Sequence, residues 1–397
     1  MVKRDLQARF RRAAASFPVV TLTGPRQSGK STLCRLLLPK RPYANLEEPD
    51  TRAFAVQDPR GFLAQFPNGA IIDEVQRCPD LSSYLQPLVD ADPRPGRWIL
   101  TGSQNLAVHA SVGQSLAGRS AVLHLLPLAW SEVVRFKSHP KTLDEAMLTG
   151  GYPRVLDKRL NPAEWLGSYV ATYLERDVRS VSNIGDLAAF QRFVQLCAGR
   201  TAQLLNFSAL AADAGVSQPT AKAWLSVLEA SFIAFRLRPW HSNLGKRLVK
   251  SPKLHFYDTG LVCWLLGIRT PEQLRSHPLR GPLFETWVVT ELLKHRTNRG
   301  DSTGLYFYRD AQQVEVDALI ESPGRFTLVE AKAGQTVAPD LLRGLATVEA
   351  LLAGRGEVDS VAVIGADAGQ KRTGAAIIPW RELHKAARIG ATSTRPG

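Results

Sequence analysis

A glycine-bounded loop followed by hydroxyl residues gives the strongest chemical signal in this sequence. Its spacing is GxxxxGK[ST], matched by Gly24, Pro25, Arg26, Gln27, Ser28, Gly29, Lys30 and Ser31, with Thr32 next. In such a loop the backbone N–H groups surround a phosphate, the lysine neutralises phosphate charge and the serine can bind Mg²⁺. The sequence therefore predicts a nucleoside triphosphate site here, with ATP and Mg²⁺ as its cofactors.

Two later segments supply the acids and the hydroxyl that hydrolysis needs. The apolar run AIIDEV contains Asp73 and Glu74 at its polar end. Asp73 is placed to hold Mg²⁺, and Glu74 to act as a general base on the attacking water. A further run, RWILTGSQN, ends near Ser103 and Gln104, which could sense the γ-phosphate, although Ser103 could equally cap a helix. The set predicts hydrolysis as well as binding.

Arginines are the candidates for completing such a site from a neighbouring subunit. Arg119 comes just before the β-rich run AVLHLLPL, and we expect it near the rim of the nucleotide site. There it could act as an arginine finger on the nucleotide of a second subunit. Arg176 and Arg179 are rivals for this role, and a structural role stays open for each of the three.

The elements that must position these residues follow from the hydrophobic pattern. From residue 17, short β-rich runs alternate with helical ones, which predicts a parallel sheet with crossover helices. Ahead of it, Leu6, Phe10 and Ala13 form an apolar stripe that we expect to pack on this domain. A mostly helical region follows, and later strands are predicted at LYFYRD, VEVDALIES, FTLVEAKA and SVAVIGA.

A second group of residues has the pattern of a DNA-reading pair of helices. The helical run SALAADA is followed by a turn at Gly215 and by a helix that opens at Ser217. The residues expected to face outward into a major groove are Gln218, Thr220 and Lys222. The following segment could form a wing whose phosphate contacts are Lys246, Arg247, Lys250 and Lys253. A winged helix used for packing or protein binding is the alternative.

A third group of charged residues lies toward the C-terminus. A hairpin centred on the SPGR turn sets Asp317 opposite Glu330, close enough for both to bind one Mg²⁺ or Mn²⁺ ion. Strand alternation puts Lys332 on the same face, where it could activate a water, and Glu285 could join from a helix. A metal-dependent nuclease site is one interpretation. A solvated hairpin face, or a related fold that binds DNA without cutting it, is the other.

Composition and charge limit the class of protein and its partners. Among 397 residues, 44% are hydrophobic and 22% charged, which excludes a natively unfolded chain. The net charge of +14 favours a polyanionic partner such as nucleic acid or an anionic membrane surface, although basic solubility alone is the alternative. Four scattered cysteines indicate neither a disulfide framework nor a zinc site and fit a cytoplasmic protein, and no membrane span is expected.

The order and spacing of several runs resemble one group of bacterial and archaeal AAA-type ATPases. These runs are GPRQSGKSTL, IIDEVQ, ILTGSQN, SLAGR before LLPLAWSE, and GGYPRVL. The resemblance implies the phosphate, metal and base roles given above, and a homo-oligomer for which a hexameric ring is one form. The C-terminal acids and lysine resemble the PD-(D/E)xK nuclease superfamily.

We therefore expect an α/β protein that hydrolyses ATP and binds DNA. It either processes DNA through a nuclease-like domain or acts as a nucleotide-dependent switch that binds DNA or a protein without cutting. The expected parts are an AAA-type P-loop domain (1–135), a helical connector (136–190), a winged-helix domain (191–265), a mixed α/β restriction-endonuclease-like domain (266–385) and a flexible tail (386–397).

Overall fold

Each of three successive regions of the described chain is organised around its own β-sheet. In chain order these sheets have five, three and six strands. The structure is a computed structural model, and it describes residues 2–103, 116–174, 186–240, 249–301, 303–335, 342–372, 375–384 and 386. Within those ranges, no helix combines the length and the apolar character that a membrane crossing requires.

The first sheet is parallel and has the order β2-β3-β4-β1-β5. Its strands are β1 (Val19–Thr23), β2 (Tyr43–Asn45), β3 (Ile71–Asp73), β4 (Trp98–Gly102) and β5 (Ser120–His124). In the register, Val19 at the start of β1 pairs with Trp98 on one side and Ser120 on the other. All five carboxyl ends therefore meet at one edge of the sheet, and the predicted parallel sheet is confirmed.

Helices cover this sheet and close its core. They are α1 (Gln7–Ser16), α2 (Lys30–Leu37), α3 (Pro49–Gln57), α4 (Pro59–Ala64), α5 (Leu81–Ala91) and α6 (Trp130–Val133), with a 3₁₀ turn at Val75–Arg77. Leu6 and Phe10 are fully buried and Ala13 is 8% exposed, in the same apolar cluster as Val20 and Leu22 of β1. The predicted packing of the N-terminal stripe is therefore confirmed. Burying Leu6 and Phe10 stabilises the fold by about 1.5–3 kcal/mol each.

The middle region is helical with one small antiparallel sheet. Its helices are α7 (Leu143–Thr149), α8 (Pro153–Lys158), α9 (Pro162–Tyr169), continued by a π-helical turn (Val170–Leu174), α10 (Leu187–Gly199), α11 (Phe207–Ala214), α12 (Gln218–Ala230), α13 (Thr259–Leu265) and α14 (Pro271–Ser276). The sheet has the order β6-β8-β7, and its strands are β6 (Gln203–Leu204), β7 (Ala234–Leu237) and β8 (Lys253–Phe256).

Helices α11 and α12 meet at a glycine turn. Gly215 ends α11 with φ 72°, a left-handed conformation that glycine adopts without a steric penalty. The Asn206 side chain caps α11, and the Ser217 side chain accepts from Thr220 N to cap α12. The two helices and their turn thus lie where the sequence predicted them.

The third region joins one long helix to a mixed sheet of order β13-β14-β12-β11-β10-β9. Its elements are α15 (Arg280–Arg299), β9 (Leu305–Arg309), β10 (Glu315–Ser322), β11 (Arg325–Lys332), α16 (Arg343–Leu352), β12 (Glu357–Ile364), β13 (Gln370–Arg372), β14 (Ala375–Pro379) and a 3₁₀ turn (Trp380–Glu382). Ser322 pairs with Arg325 and Ala318 with Val329, so the predicted hairpin register is confirmed. The pairing of β10 with β9 shifts between Val316 and Leu319.

Candidate functional site

The glycine-bounded loop connects the carboxyl end of β1 to the start of α2. It turns sharply because Gly24, Gln27 and Gly29 have φ values of 151°, 63° and 93°. A Cβ atom at Gly24 would lie 2.1 Å from the Leu125 carbonyl oxygen, so that position requires glycine. Ser31 and Thr32 follow in the first turn of α2, and the loop has the strand–turn–helix context that its motif requires.

Lys30 is folded back onto the loop that precedes it. Its Nζ donates to the carbonyl oxygens of Gly24 and Pro25, both at 2.9 Å. Burial lowers the pKa of Lys30, while the carboxylates of Glu74 and Asp73 oppose that shift. Near it, the buried Ser28 hydroxyl has no hydrogen-bond partner among the described residues. A buried ammonium and a free buried hydroxyl in one loop fit an anionic phosphate.

The two predicted acids lie at the carboxyl end of β3, beside β4. The buried Asp73 ends the strand, and Glu74 follows with a left-handed φ of 56°. The Ser103 hydroxyl, just past β4, donates to Glu74 Oε2 at 3.0 Å. Gln76 Nε2 donates to Ser103 Oγ at 3.0 Å and also bonds to Glu74. The structure therefore brings Glu74 and Ser103 together at the carboxyl edge of the sheet, while the predicted sensor role of Ser103 stays a prediction.

Tyr43 is a member of this site that the sequence reasoning missed. Its hydroxyl donates to Asp73 Oδ2 at 2.5 Å and also interacts with the Ser31 side chain. Burial and then the bond to Asp73 raise the pKa of Tyr43 above its ordinary value. The hydroxyl thus lies between the two groups predicted to hold Mg²⁺. Tyr43 starts β2, so only knowledge of the strand order could have placed it here.

The loop, the acids and Tyr43 line a cleft with a volume of about 720 Å³. Its opposite wall is α8, which contributes the exposed Arg154. The backbone of Gly151, before α8, is held by the Asp258 carboxylate at 2.6 Å and by Leu128 N at 2.7 Å. Arg154 was also missed, although the GGYPRVL run that contains it was a visible signal. Arg154 and Lys158, which line the cleft beside Asp157, suit an anionic ligand.

Arg4 fixes the loop from outside the cleft's motifs. Its guanidinium donates to Ser28 O at 2.7 Å, to Leu126 O at 2.8 Å and to Glu132 Oε1 at 2.8 Å. Arg4 is 7% exposed and Glu132 is fully buried. One buried side chain therefore connects the start of the chain, the phosphate loop and α6.

The expectation that Arg119 lies near the rim of this cleft is wrong. Its carbonyl accepts from Val19 N at the amino end of β1, whereas the phosphate loop leaves the carboxyl end. Its guanidinium forms an ion pair with Asp90 at the end of α5. The parallel register places Arg119 at the opposite edge of the sheet. It cannot reach the nucleotide cleft of its own chain.

Some predicted residues lie outside the described part of the chain. They are Gln104, Arg176, Arg179, Lys246, Arg247 and nearly all of the predicted C-terminal tail.

The described residues of the predicted DNA-binding face have mixed outcomes. On α12, Gln218 and Lys222 are exposed and Thr220 is partly exposed; Lys250 before β8 is exposed too. Lys253 is different: its side chain is 2% exposed and paired with carboxylates, so the expected phosphate contact is wrong for this residue. The sequence showed only a lysine near other basic residues, and this did not reveal that the Lys253 side chain on β8 points inward.

The predicted C-terminal charges gather, together with one acid that the sequence reasoning missed. The carboxylate oxygens that lie within 4.8 Å of one another belong to Glu285, Glu315 and Asp317. Glu330 is paired with Lys332 at 2.8 Å. The expectation that Asp317 and Glu330 share one metal ion stays a prediction, because the confirmed β10–β11 register sets these two residues opposite each other. The sequence reasoning missed Glu315. Strand alternation was a visible signal, because it places this first residue of β10 on the same face as Asp317.

The pKa values of two acids in this region are raised. Burial, followed by the charge of Asp317, raises the pKa of Glu330 to about 7. The same two causes raise the pKa of Glu285 well above its ordinary value. Asp317 also accepts from Ala331 N at 2.8 Å, which ties its carboxylate to β11. These acids repel one another and need a cation nearby.

Three family descriptions match the chain in succession. An AAA domain matches residues 16–134, the domain of unknown function DUF8612 matches 140–272 and the domain of unknown function DUF4143 matches 280–383. Together with the loop, the acids and the parallel sheet, the first match identifies the N-terminal region as an AAA-type ATPase domain.

Two mycobacterial proteins are similar over most of the chain. They are the uncharacterized protein Rv2008c of Mycobacterium tuberculosis and the uncharacterized protein Mb2031c of Mycobacterium bovis. Each is 34% identical over 346 residues, which is 86% of this chain and 76% of the relative. The chain belongs to the same family as these proteins.

Solved structures show weaker similarity. The Walker-type ATPase PABY2304 of Pyrococcus abyssi has a TM-score of 0.45 and 15% identity, over 67% of this chain and 96% of that one. The STAND protein PH0952 of Pyrococcus horikoshii, which has a tetratricopeptide repeat sensor, has a TM-score of 0.25 and 12% identity over 77% and 48%. The protein VC1899 of Vibrio cholerae has a TM-score of 0.22 and 12% identity, over 94% of this chain and 97% of that one.

Proposed function

We propose that this AAA-type ATPase is a switch whose nucleotide state controls the binding of DNA, without cutting it. The observation that carries the proposal is the cleft lined by Lys30, Ser31, Asp73 and Glu74 at one edge of the first sheet, with Ser103 bonded to Glu74. These residues supply a cation that can bind phosphate, two oxygen ligands suited to Mg²⁺, a general base and a hydroxyl that contacts the base.

The side chains of the cleft can divide the work of hydrolysis. When bound, Mg²⁺ would neutralise phosphate charge, with Ser31 and Asp73 as its protein ligands. Glu74 would accept the proton of the attacking water. Because Ser103 and Gln76 both bond to the Glu74 carboxylate, a phosphate that draws Ser103 away would release Glu74 to face the water. Arg154 would bind phosphate from the opposite wall.

We assign DNA binding to the middle region as a winged-helix unit. Helix α12 presents Gln218 and Lys222 to solvent at the N-terminal end that would enter a major groove. The antiparallel β7 and β8 would flank a wing, with Lys250 beside it. The chain's net charge of +14 supports a polyanionic partner. The domain limits expected from the sequence remain part of this proposal.

Of the two functions that the sequence left open, binding is better supported than cleavage. A metal-dependent nuclease needs carboxylates that are free to hold a divalent ion. Here Glu330 is bonded to Lys332, and each acid of the Glu285, Glu315 and Asp317 group faces the Lys253 ammonium. We therefore propose a nuclease-like domain that does not cut in the native chain.

Assembly is a further part of the proposal. Arg119 lies at the edge of the sheet opposite its own cleft, where it could act only on the nucleotide of a second subunit. We therefore propose a homo-oligomer in which Arg119 completes the neighbouring site. A ring of six subunits is one assembly that would repeat this contact.

The test is fluorescence anisotropy of a labelled DNA duplex with ATP or ADP present, over a salt series. We expect salt-sensitive binding whose affinity differs at least fivefold between the nucleotides and falls in Lys222→Ala. Lys137→Ala, which removes another exposed lysine, should bind as the wild type does. Equal affinity with both nucleotides would refute the switch, and no salt-sensitive binding would refute DNA as the partner. Mn²⁺-dependent strand cleavage lost in Asp317→Ala and Lys332→Ala would establish the nuclease instead.

A further inference from the structure

One buried lysine lies among three carboxylates that come from two elements of the third region. Lys253 is the first residue of β8, in the middle region. Its Nζ is 2.6 Å from Glu285 Oε1 on α15, forms an ion pair with Glu315 on β10, and is 3.6 Å from Asp317 Oδ1. The lysine side chain is 2% exposed. A buried charge of this kind is retained only where opposite charges surround it.

The lysine has the surroundings that a divalent ion would have. The oxygens of Glu285, Glu315 and Asp317 lie within 4.8 Å of one another, which is close enough for one ion to contact all three. Burial alone would lower the pKa of Lys253, but Glu285, Asp317 and Glu315 raise it above its ordinary value. The ammonium thus contacts the same three carboxylates that a shared ion would contact.

Other contacts hold the lysine in this place. The Phe307 ring of β9 lies beneath the ammonium, with its centroid 5.5 Å from Nζ. The backbone of the same Phe307 bonds to the segment after β7: its carbonyl accepts from Trp240 N at 2.7 Å, and its N–H donates to Arg238 O at 3.1 Å. Arg309 bonds to the second carboxylate oxygen of Glu315 at 2.9 Å. The small sheet and the large sheet are thus joined around Lys253.

We propose that the Lys253 ammonium is the resident cation of the Glu285, Glu315 and Asp317 cluster, in the place where a divalent metal ion would otherwise bind. The cluster is then an internal ion pair that joins the middle region to the C-terminal sheet. The inference rests on the non-cleaving function proposed above and supplies its cause, because a cluster filled by Lys253 cannot position a metal-bound water.

The proposal is tested by titrating nucleotide-free protein with Mn²⁺ at neutral pH and measuring free Mn²⁺ by electron paramagnetic resonance. We expect Lys253→Met to gain one Mn²⁺ site, at least tenfold tighter than any site of the wild type. Adding Glu315→Gln to Lys253→Met should remove that site. The matched control Lys137→Met removes an exposed lysine and should behave as the wild type does.

Two results would overturn the proposal. One is a wild-type Mn²⁺ site that Glu315→Gln abolishes, and the other is a folded Lys253→Met protein without any new site. If Lys253→Met is unfolded in metal-free buffer, its thermal unfolding is measured with Mn²⁺ added. A cooperative transition that Mn²⁺ restores in Lys253→Met, but not in Lys253→Met with Glu315→Gln, supports the proposal. No recovery in Lys253→Met contradicts it. Neither ATP nor DNA enters this measurement, so it can fail while the nucleotide-controlled switch stands.

Discussion

Glu74 is the residue whose role is most sharply defined by its contacts. It is bonded to Ser103 and Gln76, one residue beyond the buried Asp73. We expect Glu74→Gln to bind ATP but to hydrolyse it at least about 100-fold more slowly, since an amide cannot accept the proton of water. Phosphate release and retained nucleotide would be measured together. Glu48→Gln, an exposed acid before α3, is the control. Hydrolysis by Glu74→Gln at the wild-type rate would contradict the assigned base.

His255 predicts a pH dependence of stability. Burial, then the nearby Lys253 charge, lowers its pKa well below the ordinary 6.5, so the folded protein holds it neutral. The unfolded chain takes up a proton below pH 6.5, and stability is therefore lost as the pH falls. The contribution of His255 to the slope should rise toward about 1.4 kcal/mol per pH unit as the pH falls below 6.5. Denaturant unfolding of the wild type and His255→Asn checks this. Parallel curves for the two proteins would show that His255 contributes nothing.

At the scale of elements, the segment before α1 supports the phosphate loop through Arg4. Arg4→Ala leaves the fully buried Glu132 without its cation and should destabilise the fold by about 3–5 kcal/mol. It should also weaken ATP binding, because the Ser28 carbonyl loses its donor. Thermal unfolding and nucleotide titration measure both effects, with the exposed Arg11→Ala as the control. Unchanged ATP affinity in a folded Arg4→Ala protein would mean that the contact does not support the loop.

The same elements show what sequence patterns can and cannot predict. The loop, the acids after β3 and the β10–β11 register follow from local spacing, since neighbouring residues fix turn geometry and strand alternation. Contacts between residues that are distant in sequence do not follow from local spacing. Arg4 with Glu132 and Lys253 with Glu285 are joined only after sheets and helices pack. For that reason Lys253 was expected among exposed wing residues and Arg119 beside its own cleft.

At the scale of the whole molecule, Arg119 predicts cooperation between subunits. Arg119→Ala should keep ATP affinity and lose hydrolysis about 1,000-fold. Mixing it with Glu74→Gln should restore part of the activity, because an Arg119→Ala subunit keeps its base and receives an arginine from its neighbour. Asp90→Asn removes the partner of Arg119 within the chain and serves as the control for a structural role. If the mixture stays inactive and Asp90→Asn loses equal activity, the role of Arg119 is the structural one of its ion pair with Asp90.

The proposed ATPase activity depends first on the cleft between the phosphate loop and α8. Isothermal titration calorimetry of folded protein with ATP, in the presence and absence of Mg²⁺, tests it most directly. We predict Mg²⁺-dependent binding of one ATP per chain to the wild type and none to Lys30→Ala. The loop contains two cations, Lys30 and Arg26, and Lys30 is the one that is expected to neutralise the phosphate. A folded wild-type protein that binds no ATP, or equal binding of ATP by Lys30→Ala, would contradict the proposed nucleotide site.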